Sequence, residues 1–419
     1  MTQAEAVKTK AASRNRDTPI RVVQLHYRDD PEAGGSLRVG EHLANHVDPD
    51  EVEAHVLFAY GDEGPVAQAA TVPCHYPQVD GRWDVRGWMR ARRIIQDIAP
   101  DILHFQDPLT TLRLFLVDYL AVMIKHCHGR PLEPGSWREQ LKRRWRRYQM
   151  DRFVCIDPVA AETMQEYGFA GPDQCSVLPN AVDVDVLQDT PSKEEARSEL
   201  GLPEDVRLLG MVGRLIEPIG FPDLFRLLQK LPSDWHALFA GGGGERGNME
   251  RKAEKQGVRS RIHLLGALDD VRPAYAAMDA YVFLSQHEPF GLVMAEAMAC
   301  GVPLFGLHGL GEYREIDPPL VNDQVATFFE RENPERFLDP SQQSIPEPDP
   351  VLDRLRDALL SFDPKSAEAR RQVEAAREHV RAHFDAPIQA RRMTRIYKEL
   401  IPSDHGSEQR GTTDSRARN

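Results

Sequence analysis

The sequence has few cysteines, no long apolar run and no excess of basic charge. Its five cysteines, Cys74, Cys127, Cys155, Cys175 and Cys300, are odd in number and include no C-x-x-C pair. They indicate reduced thiols rather than a disulfide framework or a zinc site. No apolar run is long enough to span a bilayer, and the polar N-terminus lacks the apolar segment of a signal peptide. We therefore expect a cytoplasmic protein.

The net charge limits the possible binding partners, and the length indicates the number of domains. The 419 residues include 52 basic and 65 acidic side chains, a net charge of −13, which gives no general attraction to nucleic acid or anionic membrane. We expect no nucleic-acid partner, and any membrane contact must be local. A chain of this length with 41% hydrophobic residues can build two domains with a core each.

Strand and helix patterns alternate along the chain. The opening strand, 20–26, is followed by a loop containing Gly34 and Gly35 and by an amphipathic helix at 37–46. Such alternation predicts α/β doubly wound domains, in which ligands bind at the C-terminal ends of the strands. Further strands are predicted at 52–58, 101–105, 122–126, 152–156, 175–178, 207–212, 236–240, 262–265, 281–284 and 302–306, and helices at 85–98, 109–119, 158–167, 221–231, 249–256, 271–278 and 292–299.

The alternation stops once and restarts, which indicates two Rossmann-like domains with a ligand cleft between them. The polar stretch 185–205, with Pro191 and Pro203, is the expected interdomain linker. The predicted division is a disordered tail at 1–18, a first domain at 19–184, a second domain at 206–384, a C-terminal helix at 385–402 that could pack back on the first domain, and a second disordered tail at 403–419.

Two glutamates stand out near the predicted helix 292–299. Glu296 is the one carboxylate in an otherwise apolar helix body, and Glu288 lies in the loop before it. A lone ionised carboxylate in such a helix is costly unless something partners it. Helix N-termini attract anions, so the two acids can bracket a ligand there. The alternative is structural, with Glu296 paired to an arginine and Glu288 solvated.

Other polar residues fall at strand ends. Gly213 and Arg214 follow the strand 207–212, and an arginine there suits bidentate phosphate recognition, unless it pairs with Glu217. His126 and His128 end another strand without a third metal ligand nearby, so a hydrogen bond from His128 to a ligand is favoured over a metal site, and a plain loop histidine is the alternative.

Two further patterns carry competing interpretations. Residues 242–247 fit G-x-G-x-x-G, which would indicate a dehydrogenase, but no acidic residue ends the next strand where that fingerprint needs one. Trp137 to Met150 is a strongly basic helix pattern. Weak peripheral contact with the inner face of a membrane is one interpretation, and a solvated helix face is favoured because its apolar face is thin.

Several segments together resemble the retaining glycosyltransferases of family four, which have the GT-B fold. They are VLPNAVD (177–183), GRLIEPIG (213–220), LFAGGGGER (238–246) and HLLGALDDVRPAYAAMDAYVFLSQHEPFGLVMAEAMACGVP (263–303), with weaker matches in PDILHFQ (100–106), DRFVCID (151–157) and His128-Gly129. The resemblance covers about residues 20–400 and includes the E-x7-E spacing of Glu288 and Glu296. It implies an acceptor-side first domain and a second domain that binds a nucleotide sugar.

The resemblance also implies roles for individual residues. Glu296 would bind the donor ribose, Glu288 the transferred sugar, and His128 the donor sugar. Arg214 and the amides of the 290–291 segment would hold the diphosphate. The expected catalytic residues are His128, Arg214 and Glu288, and the expected substrate-binding residues are Gly34, Gly35, Gly213, Gly243, Phe290, Gly291, Leu292 and Glu296.

The implied reaction is transfer of a hexosyl group from a UDP- or GDP-linked sugar to a hydroxyl of a glycan, a lipid carrier or a small molecule. Retention, independence of metal and the absence of a separate cofactor are expected. Ile219 occupies the position where the family usually has a lysine beside the diphosphate. The alternative is therefore a catalytically impaired relative that binds a sugar or nucleotide.

Overall fold

The computed structural model describes residues 18–30, 35–107, 109–116, 119, 121–131, 147, 149–215, 220–285, 287–308, 310–331 and 349–401. Within these residues the strands of the first sheet are β1 (Ile20–His26), β2 (Val52–Phe58), β3 (Cys74–His75), β4 (Ile102–Phe105), β5 (Val122–Cys127), β6 (Arg152–Cys155) and β7 (Cys175–Val177). The later strands are β8 (Arg207–Val212), β9 (Trp235–Ala240), β10 (Ile262–Gly266), β11 (Ala280–Phe283), β12 (His287–Glu288), β13 (Leu304–His308), β14 (Leu310–Gly311) and β15 (Thr327–Glu330).

Helices connect the strands and cover the sheets. In the described part of the chain they are α1 (Gly35–Asn45), α2 (Pro65–Ala69), α3 (Val85–Ile98), α4 (Thr110–Phe115), α5 (Pro158–Glu166), α6 (Val184–Gln188), α7 (Lys193–Glu199), α8 (Phe221–Lys230), α9 (Arg246–Lys255), α10 (Arg272–Ala277), α11 (Leu292–Cys300), α12 (Pro350–Ser361), α13 (Ala367–His383) and α14 (Ala386–Leu400). None of them is long and apolar enough to cross a membrane.

Each sheet is parallel and doubly wound. The first has the strand order β3-β2-β1-β4-β5-β6-β7, and the second has β10-β9-β8-β11-β13-β15. The central strands β1 and β8 are apolar along most of their length, as expected where helices cover both faces of a parallel sheet. The predicted α/β class with two doubly wound units is confirmed.

The chain crosses between the two units at two adjacent segments. Val182 and Asp385 form a parallel bridge, and the Asp385 carboxylate accepts a hydrogen bond from the Val184 amide at 3.2 Å. Beyond this bridge α14 packs on the first unit, where Met393 and Tyr397 enter the hydrophobic core. The last helix is therefore a structural part of the first unit.

The stretch 185–205, predicted as a polar linker, holds most of α6 and all of α7. Ser192 and Glu195 form a reciprocal capping box at the start of α7. On the same helix the buried Arg197 guanidinium contacts the Asp279 carboxylate of the second unit at 2.8 Å. The stretch is thus docked on the second unit.

Most predicted bounds agree with the structure to within one or two residues, and those of β1, β2, α3 and β8 agree at both ends. The helix predicted at 109–119 ends earlier, at Phe115. The helix predicted at 249–256 begins three residues earlier, at Arg246. The elements that were not predicted are the strands β3, β12, β14 and β15 and the helices α2, α6, α7, α12 and α13. Residues 1–17 and 403–419, Gly34, Ile219 and almost all of 137–150 lie outside the described residues.

Candidate active site

The N-terminus of α11 lies at the C-terminal edge of the second sheet. Gly291 caps the helix with φ 87°, and the backbone N–H groups of Leu292 and Val293 donate to no acceptor in the described part of the chain. Free N–H groups and the helix dipole make such a terminus attractive to an anion. The helix ends at Cys300, and Gly301 follows it as the C-terminal cap in the left-handed conformation, with φ 77°.

Glu288 lies beside this terminus and engages it directly. The backbone N–H of Gly291 donates to Glu288 Oε1 at 2.9 Å. The backbone of Glu288 is held by pairing between β12 and β14, where it is opposite Gly311. One of the amides predicted to meet a diphosphate therefore meets a carboxylate of the chain itself. Phe290 is buried and packs edge-on against Phe384, so its side chain belongs to the core.

Glu296, one turn along α11, has a tyrosine as its partner rather than an arginine. The buried Tyr275 hydroxyl on α10 donates to Glu296 Oε2 at 2.7 Å. Burial raises the pKa of the Glu296 carboxyl above its usual value, while the Tyr275 hydrogen bond and the charge of Arg38 lower it. No described residue donates a hydrogen bond to Glu296 Oε1, so this oxygen is left for a ligand.

Arg214 follows β8, which neighbours β11 in the sheet, and is exposed. Its guanidinium forms no hydrogen bond or ion pair with any described residue. The predicted alternative partner, Glu217, lies outside the described residues. Among the described residues, Arg214 is therefore a cation at the strand-end edge without a partner.

Backbone forms the floor beside Arg214. A Cβ added to Gly241 would lie 1.7 Å from the Gly213 carbonyl oxygen, and φ at Gly241 is 151°. A Cβ on Gly243 would lie 2.4 Å from the Leu215 carbonyl oxygen. Only glycine allows the ends of β8 and β9 to approach so closely. The predicted residues Gly213 and Gly243 thus shape this floor.

The first unit faces this edge and touches it at several points. A Cβ on Gly35 would meet Leu292 Cδ1 at 2.4 Å, which shows how closely the start of α1 approaches the start of α11. Gly129, after β5, faces the ring of Pro289, where an added Cβ would lie 3.5 Å from Cγ. The structure therefore brings the predicted Gly35, His128 region, Glu288 region and α11 to one cleft.

His128 is held from within the first unit. Its Nε2 is 2.9 Å from Gln106 Oε1, and Gln106 Nε2 donates to Gln24 Oε1 at 2.7 Å. Gln24 Nε2 in turn donates to the Tyr397 hydroxyl at 3.3 Å. Because Gln106 Oε1 can only accept, this chain places the proton of neutral His128 on Nε2. Nδ1 is buried and makes no hydrogen bond in the described part.

Three histidine rings form a column behind the cleft. His126 stacks on His128 with ring centroids 4.5 Å apart and on His104 with centroids 5.4 Å apart. Burial lowers the pKa of each of the three well below its usual value. Charging any ring of the column would place a cation in a buried site, so the column stays neutral at physiological pH. His128 is thus a neutral hydrogen-bonding group.

Sequence reasoning missed three residues that support this site: Tyr275, Gln106 and Arg38. Arg38 projects from α1 and acts electrostatically on both Glu296 and Asp270 of the second unit. Its only sequence signal was its position three residues after Gly35. Tyr275 and Gln106 lie in segments that carry the family resemblance, 263–303 and 100–106, but no role was predicted for them because their partners lie 21 and 22 residues away in the chain.

Comparison with known protein families identifies the two units. The profile described as Glycosyltransferase Family 4 matches residues 33–186, and that described as Glycosyl transferases group 1 matches residues 192–343. The chain belongs to the family-four glycosyltransferases. Its two facing doubly wound domains are the GT-B fold of that family, as the resemblance implied.

Curated relatives of this glycosyltransferase chain match over part of their length. A lipopolysaccharide core biosynthesis glycosyltransferase, LpsE of Rhizobium meliloti, is 36% identical over 38% of the chain and 45% of its own length. A D-inositol 3-phosphate glycosyltransferase of Mycolicibacterium smegmatis is 34% identical over 37% of the chain and 37% of its own length. The match thus spans less than half of each relative.

Solved structures agree in fold over nearly the whole chain. Anabaena HepE, crystallised in complex with UDP, gives a TM-score of 0.68 at 17% identity, and the superposition covers 91% of this chain and 100% of the HepE chain. The lipopolysaccharide glycosyltransferase WaaG gives a TM-score of 0.62 at 18% identity over 90% of this chain and 99% of its own. At such identities the likeness concerns the fold.

Proposed function

We propose that this family member transfers a hexosyl group from a nucleoside diphosphate sugar to a hydroxyl of a glycan, a lipid carrier or a small molecule, with retention. The observation that carries the proposal is the position of Arg214. It is a guanidinium without a described partner, at a strand end next to β11, and the α11 terminus that follows β11 has two free amides. A diphosphate leaving group needs such a combination of positive groups.

The site must stabilise the negative charge of the leaving group. As the bond between the sugar and the diphosphate breaks, negative charge develops on the departing oxygen. Arg214 can form bidentate hydrogen bonds to that phosphate, and the amides of Leu292 and Val293 supply the positive helix end. We propose that these groups supply the stabilisation and that a metal ion is not required. Gly35 and α1 close the site from the first domain.

The two glutamates suit the two ends of the donor. The open Oε1 of Glu296, with its partner oxygen fixed by Tyr275, is placed to accept hydrogen bonds from ribose hydroxyls. Glu288 accepts the hydrogen bond of the Gly291 amide in this structure, and we assign to its carboxylate the hydroxyls of the transferred sugar. We assign His128 to a hydroxyl of the same sugar, which is the role that the family resemblance implies.

The proposed step is a front-face substitution. The acceptor oxygen bonds to the anomeric carbon on the face from which the diphosphate leaves, the bond from that carbon to the phosphate oxygen breaks, and the phosphate oxygen takes the acceptor proton. The products are the new glycoside and a nucleoside diphosphate. No protein carboxylate forms a bond to the sugar, so mass spectrometric detection of a glycosyl-enzyme adduct would overturn this step.

Donor screening tests the proposal. Thermal shift with a panel of UDP- and GDP-sugars identifies a binder, and release of nucleoside diphosphate from that donor is then measured with and without EDTA. UDP donors come first because HepE, a structural relative, was crystallised with UDP and with UDP-glucose. We expect turnover that survives EDTA. Tight binding without turnover of any donor would favour the impaired relative, and loss of turnover in EDTA would contradict metal independence.

A further inference from the structure

A cluster of apolar side chains is exposed at the start of α3, in the first domain. Trp83 is 81% exposed, Val85 61% and Met89 52%. These three are the most exposed large apolar side chains besides Val186 in the described part of the chain; Val85 and Met89 lie one turn apart on α3, and Trp83 stands two residues before Val85. A contiguous exposed apolar patch marks an interaction site more often than scattered single residues do.

The same segment has a charge opposite to that of the protein. Residues 82–93 contain five arginines and one aspartate, in a chain of net charge −13. The aspartate, Asp84, caps α3 by accepting from the Gly87 amide at 2.9 Å and lies 3.7 Å from the Arg90 guanidinium. The carboxylate of Asp84 is therefore bonded within the segment. The exposed Asp80 and Asp97 flank it, so residues 80–97 carry five arginines against three acids, an excess of positive charge.

Helical spacing arranges these side chains in two adjacent lines. Val85, Met89 and Arg93 follow one another at intervals of four residues, and Arg86 and Arg90 form the neighbouring line. The opposite face of α3, with Trp88, Ala91 and Ile95, is buried in the domain core. The exposed face is thus presented on a helix that cannot rotate to hide it.

Trp83 extends the patch beyond the helix. The Arg82 guanidinium lies over its indole ring, 5.0 Å from the ring centroid. An indole with a cation on its face has an apolar body and a polar edge, the combination that favours the boundary between lipid headgroups and acyl chains. We call the exposed side chains of Arg82, Trp83, Val85, Arg86, Met89 and Arg93 the α3 face.

The α3 face lies on the rim of the cleft. The N-terminus of α3 follows β3, so it is at the C-terminal edge of the first sheet, the edge at which ligands bind in this fold. Aromatic contacts connect the buried face of α3 to the centre of that edge. Tyr60 meets Trp88 edge-on at 5.7 Å between ring centroids, and Tyr27, directly after β1, lies 5.9 Å from Tyr60.

We propose that the α3 face docks the protein on an anionic lipid surface. The arginines match lipid phosphates, and Trp83, Val85 and Met89 are placed to enter the acyl boundary between them. A nucleic acid would use the arginines but not the exposed Val85 and Met89. The docking opens the acceptor side of the cleft toward the membrane, so the acceptor would be lipid-linked, a consequence that rests on the proposed function.

The experiment uses the full chain and two kinds of vesicle, without donor or acceptor. Sedimentation is measured with phosphatidylcholine vesicles containing about one third phosphatidylglycerol and with pure phosphatidylcholine vesicles. The charge variant is R82Q/R86Q/R93Q, and its matched control, R371Q/R391Q/R395Q, removes three exposed arginines from α13 and α14. The apolar variant is W83S/M89S, and its control, V186S/L360S, removes two side chains that are 52% and 43% exposed.

We expect the wild type to bind the anionic vesicles and not the neutral ones. Each arginine removed from the α3 face should weaken binding about fivefold, so the charge variant loses on the order of a hundredfold. The apolar variant should lose about tenfold or more, and both controls should bind like the wild type. No binding of the wild type to anionic vesicles, or equal losses in variants and controls, overturns the proposal.

A fluorescence measurement locates the contact. Vesicles with brominated acyl chains should quench the Trp83 indole when it enters the acyl boundary, and W83F should remove that quenching while retaining vesicle binding. Persistent quenching in W83F would assign the contact to another surface, such as the predicted basic helix at 137–150, and overturn the proposal. Because vesicle binding is measured without turnover, its outcome is independent of whether the proposed transferase activity is found.

Discussion

Replacing Gln106 with leucine tests how the first domain holds its histidine. Gln106 is buried and connects two partners, donating to Gln24 Oε1 at 2.7 Å and accepting from His128 Nε2 at 2.9 Å. Leucine has a similar volume but can neither donate nor accept a hydrogen bond. Q106L therefore leaves one buried acceptor and one buried donor unpaired, at about 1–3 kcal/mol each. We expect urea unfolding to show a loss of about 2–6 kcal/mol.

A matched variant separates stability from function. Gln24→Leu breaks the next bonds in the same network, to Gln106 and Tyr397, but leaves the bond between Gln106 and His128 in place. It should cost a similar free energy of unfolding. If the position of His128 matters to the donor sugar, Q106L should lower kcat/KM by about 10- to 100-fold beyond the Q24L value, or about 1.4–2.7 kcal/mol of barrier.

The kinetic assay is release of nucleoside diphosphate from the donor identified by thermal shift, at a temperature where both variants are folded. The reasoning is refuted if Q24L and Q106L lose the same activity, since the His128 anchor would then have no separate role. It is equally refuted if Q106L unfolds at the wild-type urea concentration, because the buried network would then carry no stability.

Three further perturbations have defined outcomes. Tyr275→Phe removes the hydrogen bond that lowers the pKa of Glu296, so the Glu296 carboxyl protonates more easily. Calorimetry should show an affinity for UDP or GDP about tenfold weaker at pH 7, with a larger loss at pH 6 than at pH 8. Dissociation constants equal to those of the wild type would contradict the role of Glu296. Burial raises the pKa of Glu41 from 4.5 to about 7, so between these pH values the folded state binds more protons than the unfolded state and the stability falls as pH rises. The Glu41→Gln variant should be about 2 kcal/mol more stable than the wild type at pH 8 and no more stable at pH 4. A stability difference that is the same at both pH values would refute this. Gly241→Ala should lower the free energy of unfolding by at least about 2 kcal/mol because its Cβ would meet a carbonyl oxygen at 1.7 Å. Gly244→Ala, with open space around it, should change the free energy of unfolding by less than about 0.5 kcal/mol. Similar thermal unfolding curves for the two variants would be inconsistent with the backbone contact.

The sequence predicted the regular elements best where several local signals agreed. Strands β1 and β8 are short apolar runs, and α3 begins directly after Asp84, whose side chain caps it. Where signals conflicted, the prediction failed. Pro191 suggested an open linker, although Ser192 and Glu195 right after it form the capping box that starts α7. That S-x-x-E signal was present in the sequence and was outweighed by the prolines.

Sequence patterns singled out the candidate site residues but not the residues that contact them. Glu296, Arg214 and His128 stand in recognisable local patterns. Tyr275 became the partner of Glu296 only because α10 packs beside α11, and Gln106 became the partner of His128 only because β4 pairs with β5. Contacts of this kind are set by tertiary packing, which a sequence pattern does not encode.

Arg214 provides the most direct test of the account. Because its exposed guanidinium has no partner in the described part of the chain, Arg214→Gln should leave the free energy of unfolding within about 0.5 kcal/mol of the wild type. If Arg214 stabilises a departing diphosphate, release of nucleoside diphosphate from the donor should fall by about 100- to 1,000-fold. Wild-type turnover by the folded R214Q variant would contradict the central claim.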